Sequence, residues 1–244
     1  MVRKLNLSSD VQLDQELQDR EIRRIKNVYK DRKCRGNGEY SNNFSFRREN
    51  EIISAIKKNV HDSFKNKIVL DIGCGEGAIL KCFLSEGFTA KNLYGIDLSF
   101  KRIETAHNMF SNVSLFCGSA DALPYKDASF DIITQSTVFT SILNTGMKKD
   151  IASEMLRILK PGGLIIWHDF RYHNLFNKQT SGIGKKEIKS LFPNCNFEFK
   201  LINLNPFVGR PLIRISKKLC NILEKIPFFR SHWLAVIKRN LLNK

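Results

Sequence analysis

The segment VLDIGCGEGAIL, residues Val69 to Leu80, decides the fold of this chain. An apolar run typical of a buried strand leads into three glycines, and a second apolar run with helical spacing follows them. Glycines let the backbone turn tightly and let a ligand approach main-chain N–H groups near the start of the next helix. The segment therefore predicts a strand, a ligand-binding turn and a helix.

Strand-like and helix-like segments continue to alternate up to Phe170. The segments with strand character are KIVLDI, NLYGIDL, VSLFCG, FDIITQS and GLIIWHDF, and the helical ones between them are GAILKCFLSEG, SFKRIETAHNMF and MKKDIASEMLRILKPGG. NFEFKLINL and HWLAVIKR are later strand candidates. This order predicts a doubly wound, mostly parallel α/β sheet whose ligands bind at the carboxyl ends of the strands.

The rest of the chain suggests additions to a single α/β domain. Residues 1–66 read as an N-terminal helical cap, and residues 67–244 as the domain itself, with 171–244 as a variable basic part that completes the sheet. No apolar run approaches the roughly 18 residues that span a bilayer, and the first residues do not resemble a signal peptide. We therefore expect a cytoplasmic protein.

The six cysteines and the charges narrow the expectations further. The cysteines are scattered without the spacing of metal ligands, so we expect reduced thiols and no metal site. The net charge of +16 is uneven, because residues 170–244 hold 15 Lys and Arg against 3 Asp and Glu, whereas residues 67–169 hold 10 against 11. A polyanionic partner would therefore meet the flanks of the domain.

Three acidic residues lie at successive strand ends and distinguish two ligand classes. The glycine segment, read with Ala78, fits the G-x-G-x-x-A form of the dinucleotide fingerprint, and Asp97 lies where a ribose-binding acid belongs. Asp71, however, would repel a pyrophosphate and attract the sulfonium and ammonium groups of S-adenosylmethionine. Asp97 can accept the ribose hydroxyls, while Asp121 can accept from the adenine amino group beside the backbone N–H of Ala122.

The segments VLDIGCGEG, YGIDLS, GSADALPYKDASFD and EMLRILKPGGLIIWHDF, within residues 67–170, resemble the class I S-adenosylmethionine-dependent methyltransferases. The resemblance implies a seven-stranded sheet with an antiparallel last strand, supplied by HWLAVIKR, and S-adenosylmethionine as methyl donor. The predicted donor-binding residues are Asp71, Gly73, Gly75, Gly77, Asp97, Leu98, Asp121, Ala122, Gln135 and Ser136. The tail, with GIGKKEIKSLFP, resembles small bacterial methyltransferases of sugar or natural-product pathways.

The segment WHDFRYHN, at the end of the fifth strand, supplies the candidates for acceptor chemistry. His168 or His173 could act as the base that a hydroxyl acceptor needs, and Asp169 could orient an imidazole or act itself. Arg171 could hold an anionic substrate group. Strand alternation would turn some of these side chains into the packing of the sheet.

The acceptor remains open at this stage. We expect a small molecule, such as a sugar, a glycan precursor or a natural-product intermediate; RNA is an alternative because the flanks are basic. A stripe of Leu212, Ile215, Leu219, Ile222 and Ile226 predicts an amphipathic helix that packs on the sheet or lies on an anionic membrane, where a lipid or glycolipid would be the acceptor. A donor-binding protein without catalysis is a further alternative, and the sequence does not indicate the oligomeric state.

Overall fold

A computed structural model of the chain describes residues 9–30, 38–173 and 177–240, with only the backbone for residues 9–12. The seven strands are β1 (Val69–Ile72), β2 (Leu93–Asp97), β3 (Ser114–Cys117), β4 (Phe130–Ser136), β5 (Leu159–Phe170), β6 (Cys195–Leu204) and β7 (Arg230–Arg239). The eight helices of the described residues are α1 (Ser9–Lys30), α2 (Glu39–Asn59), α3 (Ala78–Ser85), α4 (Phe100–Met109), α5 (Thr145–Ile158), α6 (Lys185–Leu191), α7 (Pro206–Ile213) and α8 (Lys217–Lys225).

The strands form one sheet in the order β3-β2-β1-β4-β5-β7-β6. The first five strands pair in parallel, and β7 lies antiparallel between β5 and β6. This confirms the predicted doubly wound, mostly parallel sheet of seven strands with an antiparallel last strand. Helices connect β1 to β2, β2 to β3 and β4 to β5, while a connection without an α-helix leads from β3 to β4. Because these strands are parallel, the carboxyl ends of β1, β2, β4 and β5 meet at one edge.

Alternating side chains of the strands face two hydrophobic clusters, one on each side of the sheet. On one side Val69 packs with Ile56 of α2 and Phe83 of α3. On the other side Leu70 packs in the second cluster, which includes Met155 of α5. The period of two residues thus determines whether a side chain at a strand end turns toward α2 or toward α5.

The C-terminal part departs from the sequence prediction at one helix. The stretch 211–226 was expected to be one helix, but α7 ends at Ile213 and α8 begins at Lys217, where the Ser216 hydroxyl accepts a hydrogen bond from the Leu219 N–H at 3.2 Å. Serine is a favoured N-cap residue, so it starts a new helix here instead of continuing the old one. The apolar stripe is consequently divided between α7, the connection and α8.

Two further sequence expectations concern the cysteines and membrane-spanning segments. Cys34 lies outside the described residues, and the five described cysteines carry free thiols. Within the described ranges, no helix has the length and apolar character needed to cross a membrane.

Candidate functional site

A cavity of about 1250 Å³ opens at the carboxyl edge of the sheet. Its floor is formed by residues at the ends of the strands, among them Gly73, Asp97 and Ser136. Helices α1 and α2 contribute one wall through Tyr29 and Phe44. The volume exceeds the roughly 300–1,000 Å³ that is usual for one small ligand, so it can hold two molecules side by side.

The glycine turn between β1 and α3 is held against β2. The N–H groups of Gly73 and Cys74 both donate to the carbonyl of Ile96, at 2.7 and 3.1 Å. Gly73 has φ +69°, and a Cβ there would lie 2.4 Å from Cγ2 of Val138. A left-handed backbone and a close neighbour both require glycine at this position. The turn therefore presents a fixed main-chain surface at the cavity floor.

Asp97 connects this turn to the cavity. Its carboxylate accepts hydrogen bonds from the N–H groups of Gly75 at 3.0 Å and of Ser99 at 2.8 Å, and the residue lines the cavity. Burial raises the pKa of the carboxyl, against the lowering effect of the two N–H groups and of Arg102. A carboxylate held in this way keeps its remaining acceptor sites for a ligand with paired hydroxyls.

Ser119, after β3, is a polar residue of the cavity wall that the sequence analysis missed. Its hydroxyl oxygen is buried and has no hydrogen-bond partner among the described residues. Because a buried hydroxyl is normally hydrogen-bonded, the orphaned atom marks a position where a ligand would complete the pairing. Together with Asp97 and the glycine turn, it forms a donor and acceptor set that fits a nucleoside.

The other two strand-end acids lie away from the cavity surface. Asp71 shares the α2 side of the sheet with Val69; it is buried and accepts a 2.7 Å hydrogen bond from the Thr134 hydroxyl. Burial raises the pKa of Asp71 to about 7, although Thr134 and Arg48 lower it. Asp121 does not line the cavity either. Direct contact of both acids with a ligand therefore stays a prediction.

The remaining residues predicted to bind the donor are divided in the same way. Leu98 and Ser136 line the cavity, whereas Gly75, Gly77, Ala122 and Gln135 do not. Gly75 donates to Asp97, and Gln135 is buried with its side-chain oxygen accepting from the Val138 N–H at 3.2 Å. Gly75 and Gln135 thus support two residues that line the cavity, Asp97 and Val138.

Of the four residues proposed for acceptor chemistry, one lines the cavity. His173 lies at its wall, with Nδ1 3.1 Å from the Ser181 hydroxyl. His168 and Asp169 are fully buried on opposite sides of β5, because neighbours in a strand alternate. Arg171 donates to the carbonyl of Phe228 at 3.2 Å and lies over the Tyr172 ring.

Hydrogen bonds explain the burial of the two inner residues. His168 has Ser136 at 3.0 Å on Nδ1 and Asn203 at 3.3 Å on Nε2, while Asp169 accepts from both the hydroxyl and the N–H of Thr140. Burial raises the pKa of Asp169 to about 7 and lowers that of His168 to about 3. A role of either residue as base stays a prediction, and the structure shows them supporting the cavity floor.

We expect His168 to make folding depend on pH. Its pKa of about 3 in the folded protein lies below the ordinary value of 6.5, so the unfolded chain binds the proton first. The stabilisation is fully present above pH 6.5 and falls by about 2 kcal/mol near pH 5. Urea unfolding of the wild type and of His168→Gln should show a stability difference that shrinks by this amount between pH 7 and pH 5. An unchanged difference would contradict a neutral, buried imidazole.

Arg48 of α2 is a second functional candidate that the sequence analysis did not single out. It lines the cavity and its side chain is largely buried; Nη2 donates to Glu49 at 2.9 Å, whereas Nε has no partner among the described residues. Its charge lowers the pKa of both Asp71 and His168. The signal was its position four residues after Phe44, which places both side chains on one face of the helix. Arg48 thus brings a guanidinium with one unpaired N–H to the cavity wall.

The chain is similar to known proteins over its central part. Residues 69–163 match the family model described as a methyltransferase domain. A malonyl-[acyl-carrier protein] O-methyltransferase of Marinomonas sp. is 30% identical over 125 residues, which are 49% of this chain and 45% of the relative. A demethylmenaquinone methyltransferase of Renibacterium salmoninarum is 29% identical over 43% of this chain and 41% of its own length. The chain thus spans less than half the length of these curated relatives.

The fold is shared more widely than the sequence. A solved protein of Pyrococcus horikoshii matches with a TM-score of 0.63 at 16% identity and covers 88% of this chain and 99% of its own. Other solved structures with this fold, from Methanosarcina mazei and Clostridium acetobutylicum, are described as S-adenosylmethionine-dependent methyltransferases. At such identities the similarity shows the fold alone.

Proposed function

We propose that this chain, whose residues 69–163 match the methyltransferase-domain model, is an enzyme that transfers a methyl group from S-adenosylmethionine to a small-molecule acceptor. The observation that carries the proposal is the cavity floor that the glycine turn and Asp97 form together at the carboxyl edge of the sheet. The antiparallel β7 between β5 and β6 also differs from the all-parallel sheet typical of dinucleotide-binding domains. The glycine turn and Asp97 fit the nucleoside part of either cofactor, so the antiparallel β7 and the match to the methyltransferase-domain model are what favour S-adenosylmethionine over NAD.

The residues of the floor fit the adenosine part of this donor. Asp97 has acceptor sites for two ribose hydroxyls, and the orphaned Ser119 hydroxyl can pair with a polar group of the base or ribose. S-adenosylmethionine supplies an activated, electrophilic methyl group. Because this group needs no further activation, the chain has mainly to align the acceptor and exclude water.

The remaining cavity supports binding of the acceptor. Met147 and Ile151 of α5 and Phe44 of α2 give it apolar walls, while the unpaired Nε–H of Arg48 can donate to an acceptor group. His173 is the described imidazole that lines the cavity, so it is the better candidate to take the proton of a hydroxyl acceptor as the new bond forms. The acceptors named for the relatives differ in chemistry, and this chain shares less than half of their length.

Calorimetry on the full chain tests the donor assignment. We expect S-adenosylmethionine and S-adenosylhomocysteine to bind at one site without an added metal ion, and NAD to bind far more weakly. Folding is checked in parallel by circular dichroism. Failure of both S-adenosyl compounds to bind a folded sample, or tighter binding of NAD, would refute the proposal.

Methyl transfer itself needs a separate experiment. Incubation with donor labelled in the methyl group and a metabolite extract should label a small molecule, and total RNA in a parallel reaction should stay unlabelled. Label in RNA would favour the RNA alternative. Donor binding with no label in any acceptor fraction would instead favour a binding protein without catalysis.

A further inference from the structure

The strongest unexplained surface lies on α8 and the residues that flank it. We define the α8 apolar face as Ile215, Leu219, Ile222, Ile226 and Phe228, all of which are exposed. The exposed fraction is 80% for Ile215 and 77% for Phe228. Leu219 and Ile222 lie within α8, whereas Ile215 precedes the helix and Ile226 and Phe228 follow it, so the face consists of one helical surface and its two flanks.

The helix turns few apolar side chains toward the protein: Cys220 and Leu223 pack in a small cluster with Leu204 of β6. Its inner side carries the buried Glu224, which pairs with Arg47 of α2 at 2.8 Å and accepts from the N–H of Leu204 at 3.3 Å. The buried Cys220 contacts the carbonyl of Gly209 on α7. A surface helix normally turns its apolar stripe inward, whereas the ion pair of Glu224 and the packing of Cys220 fix an orientation that leaves the larger apolar stripe in solvent. Of the two sequence expectations for the stripe, packing on the sheet is therefore wrong for the α8 apolar face.

The charges around the stripe indicate which partner it suits. Five exposed basic residues lie on the same segment: Arg210, Arg214, Lys217, Lys218 and Lys225. One of them, Lys217, has Glu39 of α2 at 3.6 Å. Within residues 205–232 the one acidic residue is Glu224, which is buried and paired. An apolar stripe with lysine and arginine at its border, and no exposed acid on the same segment, has the composition of a helix that lies in the plane of an anionic membrane.

We propose that the α8 apolar face docks on the surface of an anionic lipid membrane. The apolar side chains would enter the boundary between headgroups and acyl chains, while the basic border contacts the phosphates. A second copy of the chain fits less well, because a symmetric contact would bring two basic borders together. The proposal goes beyond methyl transfer and does not depend on it.

The position of the face gives the docking a direction. Phe207 and Arg210 of α7 line the cavity, and α7 leads directly through Ile215 into α8. Phe207 is itself 60% exposed. The docked protein therefore holds this side of the cavity next to the membrane, where a ligand dissolved in or attached to the lipid would arrive.

Vesicle flotation of the full chain tests the proposal. We expect the wild type to float with phosphatidylcholine vesicles that contain about one third phosphatidylglycerol, and to float much less with phosphatidylcholine alone or at high salt. Ile222→Ser should lower the partition coefficient about tenfold, since it removes an inserted aliphatic side chain. Met109→Ser on α4 is the matched control, because Met109 and Ile222 are both 56% exposed.

A charge-reversed pair tests the border separately. Lys217→Glu with Lys218→Glu should abolish most of the flotation, whereas Lys185→Glu with Lys186→Glu on α6 changes the net charge equally and should retain most of it. Thermal unfolding is measured for every variant to check that it folds.

Three outcomes would overturn the proposal. They are no flotation of the wild type with anionic vesicles at low salt, equal loss in the α8 variants and their controls, and a dimer in sedimentation that Ile222→Ser dissociates while vesicles are not bound. The last result would assign the face to a second copy of the chain. Because none of these measurements involves the methyl donor, the result is independent of the proposed reaction.

Discussion

Replacing Asp97 with alanine is expected to weaken S-adenosylmethionine binding about a hundredfold, or roughly 3 kcal/mol. The carboxylate holds the N–H groups of Gly75 and Ser99 and lines the cavity. Its removal therefore unpairs the ligand hydroxyls and loosens the turn below them. Hydrogen bonds to a charged group contribute about 1.5–3 kcal/mol each, so two of them account for the effect.

Calorimetry on three variants separates the loss of the whole carboxylate, the loss of its charge alone and the loss of an unrelated acid: Asp97→Ala, Asp97→Asn and Asp127→Ala. The asparagine variant keeps one acceptor oxygen and should lie between wild type and alanine. Asp127 is exposed and pairs with Arg157, so its replacement should leave donor affinity unchanged. Wild-type affinity in a folded Asp97→Ala sample would remove Asp97 from the donor site.

Gly73→Ala is expected to lower the free energy of unfolding by about 3 kcal/mol and donor affinity by more than tenfold. Alanine is strained at φ +69°, and its Cβ would meet Cγ2 of Val138 at 2.4 Å. Valine has a restricted χ1, so it cannot move aside at little cost. The turn would have to shift away from its two hydrogen bonds to Ile96.

Gly87→Ala is the control for backbone strain alone, because Gly87 has φ +89° and a Cβ there meets nothing within 4 Å. It should cost about 1–2 kcal/mol of stability and leave donor binding intact. Adding Val138→Ala to Gly73→Ala should recover the part of the lost stability and donor affinity that is due to the clash with Val138. Urea unfolding and calorimetry measure both quantities. Equal losses of affinity in Gly73→Ala and Gly87→Ala would contradict a specific role of the turn.

The sheet was predictable because its information is local. Each strand is a short apolar run closed by a turn signal, so the sequence pattern predicted all seven strands. The family resemblance predicted that the last of them is antiparallel. The strand ends also brought Asp97 and Ser136 to the cavity. What the pattern of β5 could not decide was which of its last residues face outward, since Ser136, Asn203 and Thr140 supply the partners that let His168 and Asp169 be buried.

Long-range contacts explain the other differences. Arg48 reaches the cavity because α2 packs against β5, β6 and β7, which lie far along the chain. The spacing of Phe44 and Arg48 indicated a shared helix face, but it did not show that this face meets the cavity. Periodicity likewise identified the apolar stripe near α8 but not its direction. The direction in which the stripe faces depends on the pairing of Glu224 with Arg47, which lie 177 positions apart in the chain.

The pairing of Arg47 with Glu224 also has a thermodynamic consequence. Arg47 holds α8, and the next residue on the same helix, Arg48, lines the cavity. If occupation of the cavity shifts α2, the affinity of α8 for lipid changes by some factor, and linkage requires lipid to change the affinity of the cavity for its ligand by the same factor. Donor titrations with and without vesicles would thus measure a single coupling free energy from either end.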